Sequence, residues 1–298
     1  MNIAIATDFN GSGGQPFDSL RAIADAGFTH LHWCHQWNTD FFYGKYEIAE
    51  IKAFLKQYDL KLLDVHGSAG QLKCWYAEEE FRRKSGVELA VNRMQMMHEL
   101  EASGALMMHA LAFCTNDAPE AREVKTRQLK QQMRTLEELM PYAEKYGIPI
   151  ALENWCHDTY ETLPEYLKAF PAKYLGITYD SGHGNIDTHK GLEFLEAHKD
   201  RLQALHLHDN DGVTDQHKPP YCGNIDWNRL TTVIADSSYD RVVSFELSMR
   251  NTPFFDQSVT GPQGPEMVED FLIDAYERCA KVTKFVEVKR QMLRSGAK

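Results

Sequence analysis

Short apolar runs recur along the chain with helical patterns between them. The runs are NIAIAT (2–7), THLHW (29–33), KLLDVH (61–66), ALMMH (105–109), IPIALEN (148–154), YLGITYD (174–180), QALHLHD (203–209) and RVVSFEL (241–247). Each is short and apolar, as a buried strand requires. Residues 17–27, 45–58, about 77–103, 119–146, 162–169, 189–199, 226–236 and 264–296 carry apolar positions at helical spacing instead. FDSLRAIADAG and PYAEKYGIP each stop a helix on glycine, a residue that closes helices readily. No Pro/Gly/Ser linker or low-complexity tract interrupts the alternation. Eight strand–helix repeats without a break predict an α/β fold, a (β/α)8 barrel, as a single domain over 1–298. A doubly wound sheet, the alternative, needs no closure and usually has fewer strands.

The polar residues collect where these strands end. Strand two ends near His32, Trp33 and His35; strand three at His66; strand four at His109; strand five at Glu153 and Asn154. Strand six ends at Asp180 with His183 three residues on; strand seven carries His206 and His208; strand eight carries Glu246. Asp215 and His217 lie between the last two strands. In a barrel these ends converge on one mouth. Buried carboxylates without partners are prohibitive there, and a divalent cation satisfies several at once. Glu153, Asp180, His206 and Glu246 form the expected core set. Its mixed oxygen and nitrogen donors suit Mn, Mg, Co or Zn better than a thiolate-selective metal. His206 and His208 share a strand face by the two-residue period, with His206 the deeper ligand. His208 is expected nearer the rim, touching substrate or supporting a ligand. Trp33, His32, Phe9 and Trp155 could wall the pocket or pack in the core. Lys73 and Trp75 follow strand three on a loop.

Composition narrows the function classes. The formal net charge of −11 argues against a nucleic-acid partner, which favours a basic face. Six cysteines at wide spacing, without a CxxC pair, read as free thiols in a reducing compartment. MNIAIATDFNGSGG lacks a basic and apolar leader, and no apolar run approaches the ~18–20 residues that span a bilayer. A cytoplasmic location without membrane attachment is the expectation. No GxxxxGK[ST] fingerprint supports a nucleotide cofactor. The C-terminal helix, about 264–296, has an apolar face that suits its own barrel or a second subunit in a homo-oligomer.

Taken together, DVHGS, MMHA, IALEN, TYDSGH, LHLHD, DQHKPPYCGNIDW and SFEL resemble the xylose-isomerase-like TIM barrel superfamily. That group covers sugar phosphate isomerases and epimerases together with endonuclease IV. The resemblance to tagatose-epimerase-type and hydroxypyruvate-isomerase-type members implies a metal on Glu153, Asp180, His206 and Glu246, with His183 at a substrate-binding position. It implies a metal-dependent isomerase or epimerase of a sugar or sugar derivative, working by proton transfer through an enediolate. Glu153 and Glu246 would be the acid and base. A keto-sugar or inosose dehydratase begins with the same proton abstraction. The resemblance to endonuclease IV implies the alternative, a multinuclear zinc phosphodiesterase, with further ligands at His66, His109, His183, Asp215 and His217. The stretch ENWCHD departs from the small, glycine-containing stretch of that endonuclease.

Overall fold

The computed structural model describes residues 1–11, 16–67, 69–186 and 190–296. Ser68 of DVHGS and the first residue of the helix expected over 189–199 lie outside these. The strands are β1 (Ile3–Ala6), β2 (His30–Trp33), β3 (Lys61–His66), β4 (Leu106–His109), β5 (Ile150–Glu153), β6 (Leu175–Asp180), β7 (Leu202–His206) and β8 (Val243–Phe245). They pair in parallel in the order β7-β6-β5-β4-β3-β2-β1-β8. A parallel bridge from Leu207 to Phe245 joins the two ends. The chain thus forms the predicted (β/α)8 barrel, each strand beside its sequence neighbours.

The helices are α1 (Phe17–Asp25), α2 (Lys45–Gln57), α3 (Glu80–Glu99), α4 (Pro119–Tyr146), α5 (Leu163–Ala169), α6 (Ser181–Asn185), α7 (Lys190–His198), α8 (Trp227–Ala235) and α9 (Pro265–Ser295). Local chemistry sets the ends of the longest ones. Proline opens α4 and α9 at a position with no N–H to satisfy, and Gly147 and Gly296 close them with φ of 69° and 66°. The α9 residues Phe271, Leu272, Ala275, Cys279 and Val282 are buried in the chain's own core. That face therefore covers its own barrel. The short α6 was not expected: five residues, SGHGN, are too few to show a period, and glycines suggest a loop.

Large aliphatic side chains such as Ile5, Leu31, Val65, Leu152 and Ile177 join the core shared with the helices. Small and polar side chains gather separately. Ala105, Ala151 and Ala204 make their own cluster, and Thr178 donates to the Ala151 carbonyl at 3.2 Å. His32, Asp64 and Ser244 are buried on the same strands. A β-strand sends alternate residues to opposite faces, so one strand serves both layers.

Helix α3 packs so closely on the loop after β3 that position 86 has no room for a side chain. A Cβ on Gly86 would stand 2.4 Å from the Trp75 amide nitrogen, a backbone atom that cannot swing away. Gly86→Ala should destabilise the fold by about 1–3 kcal/mol, as overpacking does. A lower urea midpoint is expected; an unchanged midpoint would show that α3 sits more loosely.

Candidate metal centre at the barrel mouth

Strand register sets the tips level with one another. His109 stands opposite Glu153 across β4 and β5, and Asp180 opposite His206 across β6 and β7. Glu246 directly follows β8, and its N–H donates to the Leu207 carbonyl at 3.1 Å. These backbones aim four side chains at one point. His206 Nδ1 lies 2.5 Å from Glu153 Oε1 and 2.9 Å from Glu246 Oε2. One donor atom from each of Glu153, Asp180, His206 and Glu246 lies within 4.8 Å of the others. Glu153, Asp180 and His206 are at most 1% exposed, and Glu246 is 13% exposed.

The electrostatics follow from that crowding. Burial pushes the Glu153 carboxyl up, but the His206 charge and hydrogen bonds from His109 and His206 hold it well below its usual range. Burial likewise opposes Glu246, which the His206 charge and hydrogen bond and the His217 charge hold low. Burial would discharge His206, yet Glu246 and Glu153 hold its imidazole well above the ordinary value. With no cation, then, one imidazolium proton stands between two carboxylates. A divalent cation offers the same compensation and also satisfies Asp180. Three carboxylate donors and one imidazole fit such an ion.

Supporting contacts surround the four. The Asp180 carboxylate accepts the His183 N–H at 2.7 Å, capping α6. Its Oδ1 also lies 3.0 Å from His208 Nε2. Gly182 permits that approach, since a Cβ there would come within 1.9 Å of the His208 ring. His208 is fully buried rather than at the rim, because the chain folds back over it: its ring stacks on His217 at 4.0 Å and 4°. Asp215 contacts His217 Nε2 at 3.0 Å and His183 Nε2 at 3.4 Å.

Further donor groups adjoin the first. His32 forms one with His206 and Glu246; His66, His109 and Glu153 form another; and His208, Asp215 and His217 a third, with Cys156, His183 and Asp215 overlapping it. Burial, then the neighbouring His109, pushes the His66 imidazole well below its ordinary value, which favours the neutral ring. The structure therefore brings every proposed additional residue to the mouth.

The aromatic wall differs from the sequence expectation. Trp33 points away from the mouth into the strand–helix layer: fully buried, it packs on Phe17 of α1 and donates to Tyr43 Oη at 3.0 Å. His32, one residue earlier, points inward but lies beneath the site, bound to Asp64 rather than open to a substrate. Phe9 stacks on Phe271 of α9, and Trp75 is buried in the core. Trp155 does face the mouth, 39% exposed, with its ring against His109 and His183 at 4.9 and 5.1 Å. Trp37, which the strand pattern passed over as a loop residue, covers His66 at 4.3 Å. Asp8, just past β1, was also missed. Burial and then Glu246 push its carboxyl up. Its signal was an acid directly after the apolar run NIAIAT.

Comparison with known proteins agrees with this architecture. The family described as "Xylose isomerase-like TIM barrel" matches residues 20–271, and the chain belongs to it. An uncharacterised protein of Sinorhizobium fredii, y4fM, is 28% identical over 253 residues, 78% of this chain and 80% of that one. Among solved structures, a D-tagatose 3-epimerase-like protein superposes with TM-score 0.73 at 22% identity, covering 97% of this chain and 99% of its own. The IOLI protein with a binding zinc atom superposes with TM-score 0.67 at 16% identity, over 97% and 99%. All six cysteines are free, and no helix among the described residues is long and apolar enough to cross a membrane.

The imidazole–carboxylate contacts make the cation-free protein sensitive to pH. For His217, burial opposes the charged ring, but Asp215, through a hydrogen bond and its charge, together with Glu246 and Asp180, raises it from 6.5 to about 10. A raised imidazole stabilises the fold fully below the unfolded value of 6.5 and progressively less as pH climbs toward 10. His206 and His183 act in the same direction. In chelator, the thermal midpoint should fall between about pH 6.5 and 10. A flat profile across that span would contradict these pairings.

Proposed function

We propose that this chain is a divalent-metal-dependent isomerase or epimerase of a sugar or sugar derivative. The observation that carries the reading is that carboxylate oxygens of Glu153 and Glu246 both stand within hydrogen-bond distance of one imidazole nitrogen, at 2.5 and 2.9 Å. A proton next to a carbonyl must be taken by one group and returned by the same or another. Two carboxylates from β5 and from the end of β8 can serve both tasks. A divalent cation held by Glu153, Asp180, His206 and Glu246 would polarise the carbonyl and an adjacent hydroxyl, lowering the cost of carbanion charge. Asp180, anchored by the His183 N–H and by His208, would keep its orientation while the glutamates work. Trp155 and Trp37 offer aromatic faces to the C–H faces of a sugar ring. A keto-sugar dehydratase shares the first proton abstraction and differs only in the leaving hydroxyl.

A second reading, the multinuclear zinc phosphodiesterase, is favoured by one observation: further donor groups, among them His66–His109–Glu153 and His208–Asp215–His217, adjoin the first. The acidic charge of −11 weighs against a DNA substrate. Metal counting separates the two. One ion per chain by elemental analysis is expected; three zinc ions per chain would move the assignment to phosphoester chemistry.

Glu246→Gln should keep the fold and reduce exchange of a substrate C–H with solvent deuterium by about 10²–10⁴-fold across a panel of aldoses and ketoses. NMR reads this directly. Exchange at near wild-type rate in the variant would remove Glu246 from the proton transfer.

A further inference from the structure

Beneath the four-residue cluster, β2 and β3 hold an acid–imidazole pair that the proton chemistry above does not use. The strand register shifts between Leu31 and His32 and sets His32 opposite Asp64. Irregularities of this kind re-aim a side chain. His32 Nδ1 lies 2.7 Å from Asp64 Oδ1, with the two side chains 0% and 1% exposed. The His32 ring meets the His206 ring edge-on, centroids 4.3 Å apart and planes at 66°. Neither His32 Nε2 nor His206 Nε2 has a hydrogen-bond partner among the described residues, and Asp64 Oδ2 has none either. Buried polar atoms left unpaired are rare enough to need a reason.

The two nitrogens are complementary. A histidine that gives Nδ1 to a cation keeps its proton on Nε2 and becomes a donor there. A neutral His32 that donates its Nδ1–H to Asp64 carries a lone pair on Nε2 and becomes an acceptor. Metal-binding histidines usually donate their second N–H to a group that fixes the ring. We infer that Asp64 and His32 are positioning residues for His206: Asp64 sets the tautomer of His32, and His32 Nε2 accepts the His206 Nε2–H. This inference rests on the four-residue cation site proposed above. Without a cation, Glu153 and Glu246 hold His206 by its Nδ1 side. With a cation held on Nδ1, a small pivot of the His206 ring would convert the edge contact into that hydrogen bond. His32 therefore acts through His206 and not on substrate, in keeping with its complete burial.

Zinc affinity of the full chain, measured by competition with a chromogenic chelator, tests this. His32→Leu should weaken binding about 10–100-fold. His32→Gln, whose amide oxygen can still accept, should recover most of the loss, with circular dichroism unchanged in both. Wild-type protein that binds no zinc overturns the cation site and this inference with it. Wild-type protein that binds zinc no more tightly than a folded His32→Leu overturns only the positioning role. A second measurement needs no substitution at that depth. Long-range ¹H–¹⁵N NMR of the zinc-loaded chain should place the His32 proton on Nδ1 and the His206 proton on Nε2. A His32 proton on Nε2 would overturn the inference even if the leucine variant failed to fold.

Discussion

Three carboxylates share one small, mostly buried volume at the mouth of the barrel, and the rest of the site follows from keeping them there. Glu153 and Asp180 are almost wholly out of water, and Glu246 is 13% exposed. Charges removed from water must be paired or neutralised. His206 supplies one positive charge between the two glutamates, and His109 and His208 contact Glu153 and Asp180. Against the pull of burial, His206 thus balances the two glutamates by its raised affinity for a proton, an affinity that the glutamates themselves supply. A divalent cation would take over that balance and free the ring to act as ligand and donor.

The barrel makes this arrangement affordable in conformational terms. Neighbouring strands hold His109 beside Glu153 and Asp180 beside His206 through backbone register, so no long side chain has to reach across. Aliphatic residues on the alternate strand positions bind the helices and supply the apolar burial. Polar groups inside the barrel can then be arranged for chemistry while the stability comes from the outer layer.

Much of this was legible in the chain. Eight apolar runs with helical patterns between them leave little choice of fold, and the strand tips pointed to Glu153, Asp180, His206 and Glu246, whose donor atoms the fold brings within 4.8 Å of one another. What stayed hidden has physical reasons. Which face of β2 looks inward depends on pairing, so His32 and Trp33 could not be told apart; Trp33 serves the core and His32 the interior. His208 looked like a rim residue because nothing in LHLHD shows that His217 stacks over it. Trp37 and Asp8 sit in loops, where periodicity carries no information. Asp64 was readable in hindsight: an acid two residues before His66 on a buried strand must share its inward face.

The central claim is that one cation is held by groups from β5, β6, β7 and the end of β8. Crystals of the protein grown with zinc or manganese and measured at the metal's absorption edge test it most directly. The account predicts an anomalous peak about 2.0–2.2 Å from donor atoms of Glu153, Asp180, His206 and Glu246. An anomalous map with no peak among these four residues, under saturating metal, would contradict it.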